Sequence, residues 1–183
     1  VNMTNHTYFN LSGHDCGTVR NHLVQITADT YLPLREDCVS QGVMAPVAKT
    51  PFDFRAPKYI GKDIDADNEQ IHRAHGYDHC FCIDGYTPQG EPRLAFLATG
   101  TKAELTILLT TPGAHFYTGN WLGDINAKDG AVYGPNDGFA FEPEFYPDFI
   151  HHPAWSQSCC DADHPYIESI VYRIRPREEP MRA

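Results

Sequence analysis

The feature that most constrains this chain is a succession of short strand-like runs: VQITAD (24–29), FCID (81–84), RLAFLAT (93–99), AELTILLT (103–110), AHFYTG (114–119) and YIESIVYRIR (166–175). Several alternate with a period of two, as a half-buried strand does, because successive side chains leave opposite faces of the pleat. In SIVYRIR, Ile170, Tyr172 and Ile174 fall on one side while Val171, Arg173 and Arg175 fall on the other. No long stretch carries a helical period, and 14 Gly and 14 Pro punctuate the runs. The expected class is therefore all-β. TGTK (99–102) reads as a hairpin turn between two of the runs. Residues 33–70 and 124–165 hold most of the Pro, Asp and Asn and read as long ordered loops, where binding groups usually sit.

A chain of 183 residues makes one domain, or part of one. With 42% hydrophobic and 21% charged residues it should fold rather than stay disordered. The formal charge of −10, with 14 scattered Lys and Arg, argues against nucleic acid or an anionic membrane as partner, since both need clustered basic residues. No apolar run is long enough to span a bilayer, and no basic or apolar leader opens the chain, so a soluble cytoplasmic protein is expected. The six cysteines (16, 38, 80, 82, 159, 160) show no disulfide framework and are expected as free thiols. Sequons at Asn2, Asn5 and Asn10 would matter only in a secreted protein. The sequence opens at Val1 inside a candidate functional motif and so reads as a fragment.

Three places carry residues suited to chemistry. HRAHGYDHCFC (72–82) places His72, His75 and His79 three and four apart, with Cys80 and Cys82 close behind. That spacing suits a metal on a helix face, but Gly76 and Tyr77 interrupt a helix and FCID is strand-like. On a strand Cys80 and Cys82 share a face, as small core residues do, and no second ligand cluster follows; the expectation is no metal. TNHTYFNLSG (4–13) mixes Asn5, His6 and Asn10 with aromatic Tyr8 and Phe9, a mixture suited to a sugar ring and its hydroxyls; a buried, hydrogen-bonded histidine is the alternative. In DGFAFEPEFYPDF (137–149), Glu142 stands between Phe141 and Pro143. Apolar surroundings raise a carboxyl's pKa towards that of a working general acid or base. A solvated loop acid is the alternative, and Glu144 fits that description better.

Taken in order, TNHTYFNLSG, ADTYLPL (28–34), PVAKTPFDFR (46–55), GYDHCF (76–81), PGAHFYTGNWL (112–122) and GFAFEPEFYPD (138–148) resemble the successive motifs of the aldose 1-epimerase (galactose mutarotase) family. The resemblance covers nearly the whole chain but only the C-terminal part of the family's domain, a large antiparallel β-sandwich. It implies that residues 1–183 are that C-terminal part. It also implies that Asp78 binds sugar hydroxyls, that His6 is the general acid on the ring oxygen, and that Glu142 is the general base on the C1 hydroxyl. Asn5, Tyr8 and His115 are the further expected sugar contacts.

The reaction so implied opens the C1–O5 bond of an aldohexose such as galactose or glucose to a free aldehyde and recloses it on the other face. An acid and a base suffice, so no cofactor is expected. The family typically carries Gln where this chain has His115, so the expectation is that the sugar contact there is altered or passes to a group that can also titrate. It also has a second active-site His and a sugar-binding Arg in an N-terminal half with no counterpart here, so a second chain carrying that half is the expected partner, with a rearranged or dimeric assembly that covers the open edge as the alternative. Two other readings stay open: a non-catalytic sugar-binding or regulatory module, and a glycosidase using Asp78 and Glu142 as a carboxylate pair.

Overall fold

The computed structural model describes residues 1–123 and 125–178. Along the chain run β1 (Tyr8–Phe9), β2 (Leu23–Ile26), β3 (Thr30–Tyr31), β4 (Ala45–Pro46), β5 (Lys58–Tyr59), the helix α1 (Glu69–Ala74) and β6 (Asp78–Cys82). Then follow β7 (Arg93–Thr99), β8 (Ala103–Leu109), β9 (Gly113–Tyr117), β10 (Ile125–Asn126), β11 (Val132–Tyr133), β12 (Phe139–Glu144) and β13 (Ile170–Pro176). They form a six-stranded sheet in the order β1-β12-β9-β6-β3-β4, a five-stranded sheet in the order β13-β8-β7-β2-β5, and a separate β10-β11 ribbon. Neighbouring strands are antiparallel throughout, as in β12 on β9, β6 on β9 and β7 on β8. The all-β expectation holds.

Strand positions follow the alternation, with shifted ends. β7 occupies the expected run, and TGTK closes the β7–β8 hairpin through a bond from the Gly100 N–H to the Ala103 carbonyl. β6 begins at Asp78 rather than Phe81, because the whole of GYDHCF from Asp78 onward pairs with β9. The loop reading of 33–70 and 124–165 is corrected in part. The first stretch supplies β4, β5 and the buried Phe52, Phe54, Ile60 and Ile64, and the second supplies β12.

The two sheets face each other across an aromatic core. Phe96 of β7 meets Phe141 of β12 at 4.3 Å between ring centroids and Phe116 of β9 at 5.7 Å, offset and tilted contacts typical of packed rings. Val24, Ile26, Leu105 and Ile107 complete the layer from the five-stranded sheet. α1 covers one end: the Asn68 Oδ1 caps it by accepting from the Gln70 and Ile71 N–H groups, and His75 ends it in the left-handed region at φ 56°. β1 covers only Phe139 and Ala140 of β12. Beyond them β12 is an edge strand, where Pro143 costs no ladder bond on the open side. Among the described residues no helix is long and apolar enough to cross a membrane.

Candidate active site

The period-two rule separates the six-stranded sheet into two faces. On β6, β9 and β12, His79, Phe81, Phe116, Phe139 and Phe141 point into the sandwich and are fully or almost fully buried. Asp78, His115, Tyr117, Glu142 and Glu144 point the other way, and they line one open pocket of about 430 Å³. Register brings them together, since Asp78 pairs with Tyr117 and Glu142 with His115.

Asp78 is held by an interlock between two of the sequence motifs. Asn120 is buried with its Nδ2 donating to the carbonyls of Ala74 and Tyr77, at 2.8 and 3.0 Å, and its Oδ1 accepting from the Thr118 hydroxyl at 2.6 Å. The Tyr77 N–H in turn donates to the Thr118 hydroxyl. Gly76, at φ 137°, passes so close to Asn120 that a Cβ there would lie 2.6 Å from its Oδ1. The turn entering β6 is thereby fixed, and with it the exit direction of Asp78.

His6 lies outside any strand, and tethers on either side of it determine its position. The Asn2 side chain donates to the Phe145 carbonyl and accepts from the Phe145 N–H, both at 2.9 Å, in the manner of a strand partner. Asn10 donates to the carbonyls of Asp137 and Gly17. With Tyr8 and Phe9 zipped to β12 between these anchors, the intervening chain crosses over the sheet and brings the His6 Nε2 to 3.4 Å from the Glu142 Oε1. The Tyr8 ring lies 5.0 Å from His6 and 6.1 Å from Tyr117, and Trp121 adds an exposed indole at the rim.

Glu142 is only 13% exposed at its side chain. Burial, the largest cause, raises its pKa above the ordinary carboxylate range; the charges of His115 and His6 oppose the rise and those of Glu144 and Asp78 add to it. His115 stands between two acids: its Nε2 lies 2.9 Å from the Asp78 Oδ1 and its Nδ1 3.2 Å from the Glu144 Oε1. Burial alone would lower its pKa, but these hydrogen bonds and charges outweigh it and raise it to about 10.

Of the residues singled out in the sequence, His6, Tyr8, Asp78, His115 and Glu142 all line this pocket. Asn5 is not among them; its Oδ1 accepts from the Thr7 N–H on the exposed side of the arch. Glu144, read as a solvated loop acid, is instead 17% exposed and bound to His115, because it is a strand residue two positions from Glu142 and shares its face. Tyr117 and Trp121 also went unassigned. The same alternation in AHFYTG marks Tyr117 as a neighbour of His115, while no sequence pattern marks Trp121.

The histidines of HRAHGYDHCFC scatter to separate partners. His72 faces Asp67 at 3.6 Å, His75 packs edge-on to Trp121 at 4.5 Å, and His79 is buried at 3.3 Å from Gln70. Cys80 and Cys82 lie on the pocket's face of β6, but Leu32 and Tyr146 cover them, and all six cysteines are unpaired thiols. A larger cleft, about 630 Å³, opens among residues 86–92 and 157–169. Its Glu91, Asp163 and His164 are exposed and its half-buried Glu168 accepts from the Thr110 hydroxyl, so no desolvated acid–base pair stands among its described residues.

Comparison with known proteins gives the chain its family. The chain is 39% identical over 160 residues to an aldose 1-epimerase of Escherichia coli, covering 87% of this chain and 46% of that protein. To a galactose mutarotase of Homo sapiens it is 41% identical over 155 residues, covering 84% and 43%. Its fold superposes on an aldose epimerase homologue from C. elegans with a TM-score of 0.80 at 28% identity, over 96% of this chain and 51% of that one. A galactose 1-epimerase from Lactobacillus acidophilus gives a TM-score of 0.70, also at 28% identity, over 96% and 48%. The chain therefore spans about half the length of the relatives it matches. The aldose 1-epimerase family model itself matches residues 1–172, and the chain belongs to that family.

Proposed function

We propose that the pocket binds an aldohexose such as galactose or glucose and interconverts its α and β anomers. The observation that carries this reading is the 3.4 Å approach of the His6 Nε2 to the Glu142 Oε1 inside a pocket with aromatic walls. The anomeric hydroxyl and the ring oxygen are both bonded to C1. The base that serves one and the acid that serves the other must therefore end within a few ångströms of each other, as these two do.

In the forward step Glu142 takes the proton of the C1 hydroxyl, the C1–O5 bond breaks, and His6 gives a proton to O5. The product is the open-chain aldehyde. Rotation about C1–C2 presents its other face. O5 then attacks C1 while returning its proton to His6, and Glu142 protonates the new anomeric oxygen. Atoms and charge balance over the cycle, and the enzyme ends as it began. The raised pKa of Glu142 makes it a stronger base than a free carboxylate. Asp78 accepts from sugar hydroxyls, and Tyr8, Tyr117 and Trp121 offer ring faces and edges to the apolar side of the pyranose.

Residues 1–183 are, on this reading, the C-terminal part of one sandwich, and the remaining sugar contacts come from the rest of it, carried by a second chain or by the same one. The half-length match to the relatives supports this. The unpaired thiols, four of them exposed, support a reducing, cytoplasmic setting. The half-length match also favours one second reading, a sugar-binding module without turnover.

Polarimetry of α-galactose at neutral pH tests both. The expected result is an accelerated approach to anomeric equilibrium that falls by at least about 100-fold in Glu142→Gln, with the far-ultraviolet dichroism unchanged. Undiminished acceleration in that variant would sink the assignment of the base. Saturable galactose binding without acceleration in the native protein would establish the module instead.

A further inference from the structure

We propose, resting on the reaction above, that His115 is a positioning residue: an imidazolium clamped between Asp78 and Glu144 whose charge sets the pH at which Glu142 can act as a base. The geometry requires the clamp. A neutral imidazole has one donor and one acceptor nitrogen, whereas an ionised carboxylate only accepts. Two carboxylates facing the two ring nitrogens, at 2.9 and 3.2 Å, are both satisfied only by a ring that donates from both. The alternative, a neutral ring beside a protonated acid, would move the proton from the stronger base to the weaker one.

The groups around the ring leave it as the fixed cation of the pocket. On β12, Glu142 is its register partner and Glu144 one of its two acceptors. On β6, Asp78 is the other acceptor, while its register partner Cys80 is a buried thiol whose pKa is pushed up by burial, so it carries no charge at neutral pH. His79, on the opposite face, is driven neutral, first by burial and then by the charge of His115 itself. From the N-terminal arch come His6, already against Glu142, and the Tyr8 phenol; Tyr117 on the same strand is likewise a phenol held above its ordinary pKa by burial. Behind the ring lies a small cavity of about 180 Å³ walled by Leu32, Leu34, Val39 and Pro147, with Cys38 and Ser40 also in its lining and, among the described residues, no further charged group beside His115.

Three acids thus share one pocket with one clamped cation. Without it, the charges of Asp78 and Glu144 would hold the proton on Glu142 to a higher pH, and the base would become available later on the pH scale. With both ring nitrogens engaged, His115 has no N–H left for a sugar hydroxyl. Its expected role as a direct sugar contact is replaced by one exerted through its neighbours. The glutamine that the family resemblance places here can hydrogen-bond to the same acids but cannot supply the charge.

Two measurements test the clamp. In the native protein, nitrogen-15 NMR of the His115 ring between about pH 6 and pH 11 should show both nitrogens protonated through neutrality, with a midpoint near the raised value of about 10. In Glu144→Gln the midpoint should fall towards the ordinary range. A neutral tautomer at about pH 8 in the native protein would overturn the proposal. This readout needs no turnover, so it stands apart from the reaction assignment, which a complete lack of accelerated anomer exchange would sink by itself. The second measurement is the pH profile of kcat/KM for native protein and His115→Gln. The acidic limb should move up by about one pH unit, an about tenfold loss below it that recovers on the alkaline side. An equal loss at every pH would leave only a structural role and reject the inference.

Discussion

His79 and His115 stand on neighbouring strands of one sheet, one position out of register, with His79 opposite Phe116 and His115 opposite Cys80. That single step puts them on opposite faces. His79 enters the aromatic core, where burial, helped by the charge of His115, lowers its pKa to about 3. His115 meets two carboxylates, and its pKa rises to about 10. The same side chain, on the same scaffold, is neutral in one place and a cation in the other. Period-two geometry allows a single set of strands to build a dry core and a charged pocket back to back.

If the inner face carries stability and the outer face carries chemistry, substitutions one residue apart should separate the two. The largest stability effect is expected from Phe116→Ala. Phe116 is fully buried and touches Phe96 across the sandwich, Phe139 on the neighbouring strand and Phe54, so its loss should cost about 3–5 kcal/mol of unfolding free energy. Glu142→Gln, on the other face, should change unfolding by less than about 1 kcal/mol while removing activity. Urea denaturation of both variants checks the division. Similar losses in the two would mean that the outer face is structural as well.

The pH dependence of stability should show the same split. His79 and His22 have folded pKa values depressed to about 3 and about 4, in both cases first by burial. Each binds its proton more readily when unfolded, so their contribution is complete above the unfolded value of about 6.5 and is lost as pH falls towards those folded values. His115 runs the opposite way. Its folded pKa is raised, so its contribution is complete below about 6.5 and is lost as pH rises through about 10. Stability measured by urea at acid, neutral and alkaline pH should fall on both sides of neutrality. In His115→Gln the alkaline decline should flatten while the acidic one remains; an unchanged alkaline limb would deny His115 its charge.

Much of this was legible in the chain itself, for a physical reason. Strand alternation is local, so RLAFLAT and AELTILLT marked β7 and β8 closely. The motifs that carried the family resemblance brought His6, Asp78, His115 and Glu142 to one pocket. What was missed depends on distant partners. Glu144 looked solvated because its partner His115 is 29 residues away, and the pairing exists only once β12 lies beside β9. Phe52 and Phe54 looked like loop residues because an irregular segment becomes core only when a sandwich is there to receive it. Asn5 and Asn2 were indistinguishable in the sequence, since polar residues beside a histidine suit substrate and backbone equally well. Asn5 turned out to bond locally to Thr7, and Asn2 to bridge 143 residues to Phe145.

That bridge gives a small predicted effect on stability and the sharpest test of how the pocket is assembled. Asn2 touches neither the inner core nor the pocket lining; its two bonds to Phe145 anchor one end of the arch that carries His6. Asn2→Ala should therefore cost only about 1 kcal/mol of stability, the net value of partly exposed hydrogen bonds. Its effect on rate should be larger than that suggests. A loosened arch lets His6 move away from Glu142, and catalysis depends steeply on acid and base staying in place, so an about tenfold fall in kcat with little change in KM is expected. The acidic limb of the pH profile should stay where it is, because the groups around Glu142 on the sheet are untouched. A fall in kcat without a limb shift in Asn2→Ala, beside a limb shift in His115→Gln, would separate placement of the acid from charging of the base. If Asn2→Ala left kcat unchanged, His6 would have to be held by β1 and its contacts with Tyr8 and Tyr117 alone, and the arch would be a tether without consequence for the chemistry.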